Sequence, residues 1–190
     1  MGWFLAYNRI IQFWEVNSSL NLSILVHPIA WRDGYMVFQG RLLSIFIRPQ
    51  PGKTVLETDE VRAVPGKGLE GDYCYAGIGT GGIEPDRELT LIEIETLNAL
   101  EVENELHLNP GDSRRNLLTE NVPLNHLVGK EFRIGEVTLK GIRLCEPCSH
   151  LASLTQESVL PALVHRGGLR AQILSGGIIR VGDPISYTES

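Results

Sequence analysis

Apolar and polar positions alternate through most of this chain, and the alternation predicts strands. Val37 to Arg48 is a run of strand formers broken only by Gly40, and Pro49-Gln50-Pro51-Gly52 stops it. Thr58–Val64 reads as a second strand. Phe132-Arg133-Ile134-Gly135-Glu136-Val137-Thr138-Leu139 reads as a hairpin with a Gly-Glu turn, followed by a further strand over Gly141–Leu144. A last hairpin runs Leu169–Leu174, Ser175-Gly176-Gly177, Ile178–Val181, and Gly182-Asp183-Pro184 breaks the chain before Ile185 and Tyr187.

Helical spacing is rarer. Leu91, Ile92, Ile94, Leu97, Leu100 and Val102 recur at roughly that period, which predicts one helix over Leu89–Leu106. Thr90 is its expected N-cap, with Glu93 completing a capping box, and Asn109-Pro110-Gly111 its expected end. Pro123–Leu127 reads as a helical turn, and Leu154–Val164 as a short helix capped by Thr155. Many short strands and few helices predict a mainly β chain, a closed barrel or a sandwich, with no internal repeat.

Composition narrows the class. The 190 residues suit one domain. A net charge of −6 argues against nucleic acid as the main partner. No apolar run reaches the roughly 18 residues of a membrane span, so no membrane partner is expected. Three cysteines make no disulfide framework and suit a reducing, cytoplasmic setting. Residues 1–35 hold all three Trp (Trp3, Trp14, Trp31) and no Lys. They lack the basic start of a signal peptide and the basic face of a surface helix. The expectation is that the functional chain starts near Met36 and that residues 1–35 are an upstream extension. A docking segment over an apolar patch is the alternative.

Candidate chemistry gathers at Arg143-Leu144-Cys145-Glu146-Pro147-Cys148-Ser149-His150. Pro147 cannot donate to a ladder, so the preceding strand stops there and Cys148 projects from its end. Four readings fit the pair. They are a zinc site with His150 and His165, a redox pair, two inert packed thiols, or one thiolate acting as nucleophile or soft-metal ligand. Arg143 and His150 favour a thiolate if they face it. Pro65-Gly66-Lys67-Gly68-Leu69-Glu70-Gly71-Asp72 needs positive φ or a close backbone approach, and is either a tight turn or an anion cradle carrying Lys67. Gly77–Gly82 reads as a flexible loop without P-loop spacing. In Asp112-Ser113-Arg114-Arg115-Asn116, strand alternation turns one Arg inward, toward either a phosphate or carboxylate ligand or an ion pair with Asp112 or Glu120.

Taken in order, several runs resemble the MOSC domain, named for the C-terminal domain of molybdenum cofactor sulfurases. They are Gly66–Asp72, Gly81-Gly82 with Asp86-Arg87, Arg115-Asn116-Leu117, Leu144-Cys145-Glu146-Pro147-Cys148, Arg166-Gly167-Gly168-Leu169-Arg170 and Gly182-Asp183. The resemblance covers roughly residues 37–188 and implies a barrel similar to that of pyruvate kinase, with 36–190 as its domain. It implies a role with molybdenum cofactor or in sulfur transfer. The family's characteristic Cys falls on Cys148, which ligates molybdenum in relatives that reduce N-hydroxylated compounds. In sulfurases the domain is thought to hold a persulfide or bind the cofactor. The pterin phosphate falls to Arg114 or Arg115 with Asn116, and to Lys67. Some reductase relatives carry Gly-Glu-Asn where Arg114-Arg115-Asn116 stands, so the resemblance does not by itself carry over their cofactor pose or their reductase activity. The sequence carries no aminotransferase-like stretch, so pyridoxal phosphate is not expected. It carries no flavin or iron–sulfur motif either, so electrons must come from a partner protein. Three functions follow: a cofactor-binding reductase, a sulfur carrier served by a sulfur-donor protein, or a non-catalytic binding module.

Overall fold

The computed structural model describes residues 29–32, 35–51, 53–75 and 84–187, so the Gly77–Gly82 loop and residues 1–28 lie outside the described residues. Among those described, the strands are β1 (Ile29–Arg32), β2 (Tyr35–Ile47), β3 (Leu56–Thr58), β4 (Glu60–Val64), β5 (Gly68–Leu69), β6 (Leu89–Glu93), β7 (Leu117–Glu120), β8 (Glu131–Ile134), β9 (Val137–Leu144), β10 (Leu169–Ser175), β11 (Gly177–Arg180) and β12 (Pro184–Tyr187). The helices are α1 (Ile94–Asn104), α2 (Ser149–Leu154) and α3 (Val159–Ala162).

Strands β2-β12-β8-β9-β10-β6-β7 lie side by side, and β7 pairs back onto β2, which closes a seven-stranded barrel. Closure leaves no free edge among these strands. The expected mainly β barrel is therefore the observed one. Strands β1 and β3 extend it along β2, and β11-β4-β5 form a small separate sheet. Only β6 and β7 pair in parallel within the barrel. A parallel pair needs a long crossover, and α1 with the 3-10 turn Pro110–Ser113 supplies it.

That parallel pair is buried on both faces, as parallel strands commonly are. Leu89, Leu91 and Leu117 point into a barrel core with Phe38, Ile45, Phe132 and Leu169. Ile92 and Leu118 point outward, against Leu97, Leu100, Leu151, Val159 and Leu163 of the helical flank. Each such side chain stabilises the fold by about 1.5–3 kcal/mol through removal from water. The interior is packed with side chains, which leaves no room for a ligand inside the barrel.

The single helix expected over Leu89–Leu106 is corrected. Its first five residues are β6, and Glu93, not Thr90, is the N-cap of α1. The helix ends at Asn104, where Glu105 takes φ 51° and Leu106 N–H reaches back to Leu100 O at 3.2 Å. The two periods coincide over this short apolar run, and burial on both faces hid the alternation. The expected helix Leu154–Val164 is corrected too: Leu154 is the last residue of α2, Thr155 is that helix's C-cap rather than an N-cap, and only Val159–Ala162 of the expected span forms a helix of its own, α3. Pro161 has no N–H and its ring would meet the carbonyl of residue 157, so a helix through both segments is blocked. The strand expected at Gly141–Leu144 is the continuation of β9.

Candidate functional site

The end of β2 and the starts of β6 and β7 lie together at one end of the barrel, since Ile45 pairs Leu117 antiparallel and Leu117 pairs Leu91 in parallel. Strand β10 is antiparallel to both β6 and β9, so the junction of the end of β9 with the start of β10 points the other way along the sheet. The Arg115 side chain bridges the two by binding the carbonyls of Gly167 and Cys145. The rim therefore comprises Arg48, Thr90, Arg115 and Asn116, with the Gly167 and Cys145 segments tied to it through Arg115.

On one side of the rim Asp72 is the hub. Its carboxylate accepts from Arg48 N–H at 3.1 Å, Arg48 Nε at 3.3 Å, Cys74 N–H at 3.0 Å and Asn116 Nδ2 at 3.1 Å. Gly66, Gly68 and Gly71 all take positive φ on the way to it, which supplies the conformations expected of that loop. Asn116 is fully committed within the protein. Its Oδ1 accepts from Thr90 N–H and Oγ1 at 3.1 and 2.9 Å, and its Nδ2 also donates to Phe46 O at 3.1 Å. Arg48 lies over the Tyr73 ring at 5.0 Å, and burial with the adjoining Cys74 pushes the Tyr73 hydroxyl up.

On the other side Arg115 is the hub. It is buried, and Nε, Nη1 and Nη2 donate to Gly167 O, Ser113 O and Cys145 O, each at 2.8 Å. Gly167 is required here, because a Cβ would run into the Cys145 carbonyl. Gly168, at φ 102°, meets Leu91 O in the same way. Of the two adjacent arginines it is Arg115 that turns inward. Its acceptors are backbone carbonyls, while Glu120 pairs with Arg41 and Asp112 accepts from Asn109. Burial, and then the like charge of Arg170, pushes the Arg115 guanidinium down from its ordinary range without discharging it.

Cys145 is buried, with its N–H donating to Gly168 O at 2.7 Å. Cys148 is exposed and is the N-cap residue of α2. Both sulfurs lie within electrostatic range of Arg115. Arg143, expected as a cation for the thiolate, instead pairs with Asp86 at 2.6 Å, and His150 is exposed. The pair does lie between a strand and a helix, yet the flanking β9 and β10 are antiparallel, so no thioredoxin-like βαβ unit exists here. Among the described residues no three His, Cys, Asp or Glu side chains converge as a metal cage. His165 instead pairs with Glu146 at 3.0 Å.

Arg114 is half-buried at φ 63° and donates to Lys53 O at 3.2 Å. Burial and the Arg48 charge push its guanidinium down. Lys67 stands exposed at the β4–β5 turn, whose Gly66 N–H is held by Glu88 at 3.3 Å. No contact among the described residues joins Lys67 to the arginines or to Cys148. The structure thus keeps Arg114, Arg115 and Asn116 together at the start of β7, ties the segment that leads to Cys148 to them through the Arg115–Cys145 bond, and leaves Lys67 on a separate turn. Sequence reasoning missed Arg48 and Asp72 as rim residues. Asp72 sat inside a glycine-bearing run that carried the resemblance, and that run was the available signal.

The MOSC domain model matches residues 79–186. Among solved structures, the YuaD protein from Bacillus subtilis superposes with a TM-score of 0.68 at 14% identity, covering 80% of this chain and 98% of that one. YiiM from Geobacillus stearothermophilus gives 0.62 at 18%, covering 79% and 75%. YiiM from Escherichia coli gives 0.58 at 21%, covering 79% and 71%. At these identities the likeness carries the fold. A comparison with curated proteins finds no match.

Proposed function

Because this chain belongs to the MOSC domain family, we propose that it binds molybdenum cofactor through the Cys148 thiolate and supports oxygen removal from N-hydroxylated substrates. One observation carries the reading. Arg115, a buried guanidinium bonded only to carbonyls, holds the Cys145 carbonyl at 2.8 Å, three residues before the exposed Cys148. A soft thiolate suits a thiophilic metal, and a cation without a carboxylate partner suits an anionic group. The donor set therefore fits the cofactor. When bound, the cofactor would supply a redox-active metal able to accept oxygen from a substrate.

The protein's own residues divide the remaining work. Cys148 would be the metal ligand, presented by the rigid end of β9 and the start of α2. Arg114 would offer its unused N–H groups to the phosphate, and the exposed Lys67 would be a further cation for it. Arg115 and Asn116 act chiefly by position. Arg115 ties the Cys145 carbonyl and Gly167 to β7, and Asn116 ties β7 to β6 and Asp72. A mispositioned thiolate would lose the metal even with its chemistry intact. Electrons would come from a donor protein docking at this rim.

Protein from a cofactor-competent host tests the reading by metal analysis and pterin fluorescence. Wild type is expected to carry molybdenum and Cys148→Ala to lose it; equal loading of the two would refute it. The exposure of Cys148 favours one second reading, a sulfur carrier loaded by a donor protein. It predicts a mass gain of one sulfur atom on Cys148 with no bound metal.

A further inference from the structure

Glu146 and His165 form a pair beside Cys148 that the function proposed above does not use. Strand β10 starts antiparallel to the end of β9, with Leu169 opposite Leu144. The pairing outlasts the strands, because Cys145 N–H donates to Gly168 O at 2.7 Å. Counting on in that register brings Cys148 level with His165. The two segments are still together that far out, since Glu146 accepts from the His165 N–H at 2.9 Å and meets its Nδ1 at 3.0 Å. No turn interrupts Cys145 to Cys148, and exposure alternates along them: Cys145 is buried, Glu146 exposed, Pro147 half-buried and Cys148 exposed. Glu146 and Cys148 therefore share the outward face, roughly 6.5 Å apart along the chain.

His165 is held more firmly than a surface side chain needs. It takes φ 60°, a conformation that residues other than Gly rarely adopt. Asn125 Nδ2 donates to its carbonyl at 2.7 Å, and the adjoining Arg166 is tied to the Ala162 carbonyl at 2.7 Å. The His165 side chain is nonetheless 81% exposed, so packing does not account for the ring. A carboxylate on Nδ1 fixes the tautomer with its proton there, which leaves Nε2 as the atom that gives or takes a proton. Among the described residues nothing hydrogen-bonds to Nε2. The Arg166 guanidinium is turned away, to Glu103 at 2.6 Å and Asn104 at 3.2 Å.

We propose that His165, oriented by Glu146, is the proton donor of the Cys148 site, its Nε2 serving the oxygen that leaves an N-hydroxylated substrate. The proposal rests on the cofactor reading for the reaction. Removal of that oxygen breaks the N–O bond and consumes two electrons, which the donor protein supplies, and two protons. One proton goes to the nitrogen and one to the departing hydroxide, which leaves as water. Hydroxide departs poorly without that proton, and histidine is the side chain suited to deliver it at neutral pH. Solvent recharges Nε2, because the ring is exposed.

His165→Gly and His165→Asn remove the titrating ring and keep the backbone, since Gly and Asn both tolerate a positive φ. Made in a cofactor-competent host, both are expected to carry as much molybdenum as wild type and to show a similar KM for an N-hydroxylated compound. Their kcat, with a chemical reductant replacing the donor protein, should fall about a hundredfold. Added imidazole should restore part of it in His165→Gly, a response that a merely structural residue would not give. A further readout needs no cofactor: nitrogen NMR of the metal-free full chain should show the Nδ1–H tautomer of His165 in wild type and its loss in Glu146→Gln. Unchanged kcat in His165→Gly at full molybdenum would overturn this proposal alone, as would an Nε2–H tautomer in wild type. Loss of molybdenum from both His165 variants would make the residue a structural tie and overturn it too. Wild type without molybdenum would overturn the proposal and the cofactor reading together.

Discussion

Arg48 and Arg115 leave the same rim of one barrel, and their surroundings treat their charges in opposite ways. Arg48 meets a carboxylate. Asp72 accepts its backbone N–H and its Nε, and the pair is nearly buried, with side chains 16% and 3% exposed. Arg115 meets only carbonyl dipoles from Ser113, Cys145 and Gly167. A neutralised pair is complete and can serve only as scaffold. A cation held by dipoles is positioned equally well, but its charge remains available. The side of the rim tied to the Cys148 segment is the side left positive, which is why the function is assigned there.

The largest test of this contrast is Asp72→Ala. It strands Arg48 without its counter-charge and removes the acceptor for Cys74 N–H and Asn116 Nδ2. Breaking a buried pair from one side costs about 3–5 kcal/mol, so the urea midpoint should fall steeply. A cost below about 1 kcal/mol would mean that Arg48 is no more satisfied than Arg115, given what exposed pairs contribute.

Arg115→Met should cost less and do more. Three carbonyls lose their donor, but an uncompensated buried cation disappears as well, so a loss of about 2–3 kcal/mol is expected. Molybdenum loading in a competent host should nevertheless fall well below that of wild type, because the Cys148 segment loses both its tie and its field. Full loading in a folded Arg115→Met protein would remove the functional half of the contrast.

Much of the barrel was legible because its hairpins alternate cleanly. Strands β8 and β9 read as a hairpin because Phe132, Ile134, Val137 and Leu139 are buried and their neighbours are not. Strand β6 misread as helix for the opposite reason, since Leu91 and Ile92 are both buried, one in each core. At the site, Cys148 and the Arg114-Arg115 pair were visible as residue types in suggestive places. What sequence could not give was the partner of each group. Nothing in the one-dimensional pattern says that Asp72 will neutralise Arg48, that Asn116 will spend its bonds on Thr90 and Phe46, or that the Asp86 carboxylate will take Arg143 and leave Arg170 only the Asp86 carbonyl. Those are facts of register between strands distant in sequence, and register is set by closure of the whole barrel.

The smallest expected effect is the sharpest check on Arg115. Glu146 stands between the two cysteines, closer along the chain to that side of the rim than any other carboxylate. Were it the missing counter-charge of Arg115, the contrast with Arg48 would vanish. The structure gives it other work, since its oxygens accept from His165 N–H at 2.9 Å and meet His165 Nδ1 at 3.0 Å. The His165 N–H, with a further contribution from the ring, holds this carboxyl below its ordinary range, and slight burial opposes them. A carboxyl depressed on folding stabilises the protein above its unfolded pKa of about 4.3, and that contribution is lost as pH falls through the lower folded value. Glu146 is largely exposed, so Glu146→Gln should cost well under about 1 kcal/mol at neutral pH. The gap between wild type and variant in urea titrations should close on acidification below the unfolded pKa. A loss of several kcal/mol at neutral pH would instead be the signature of a buried cation stripped of its partner, and would make Arg115 a second Arg48.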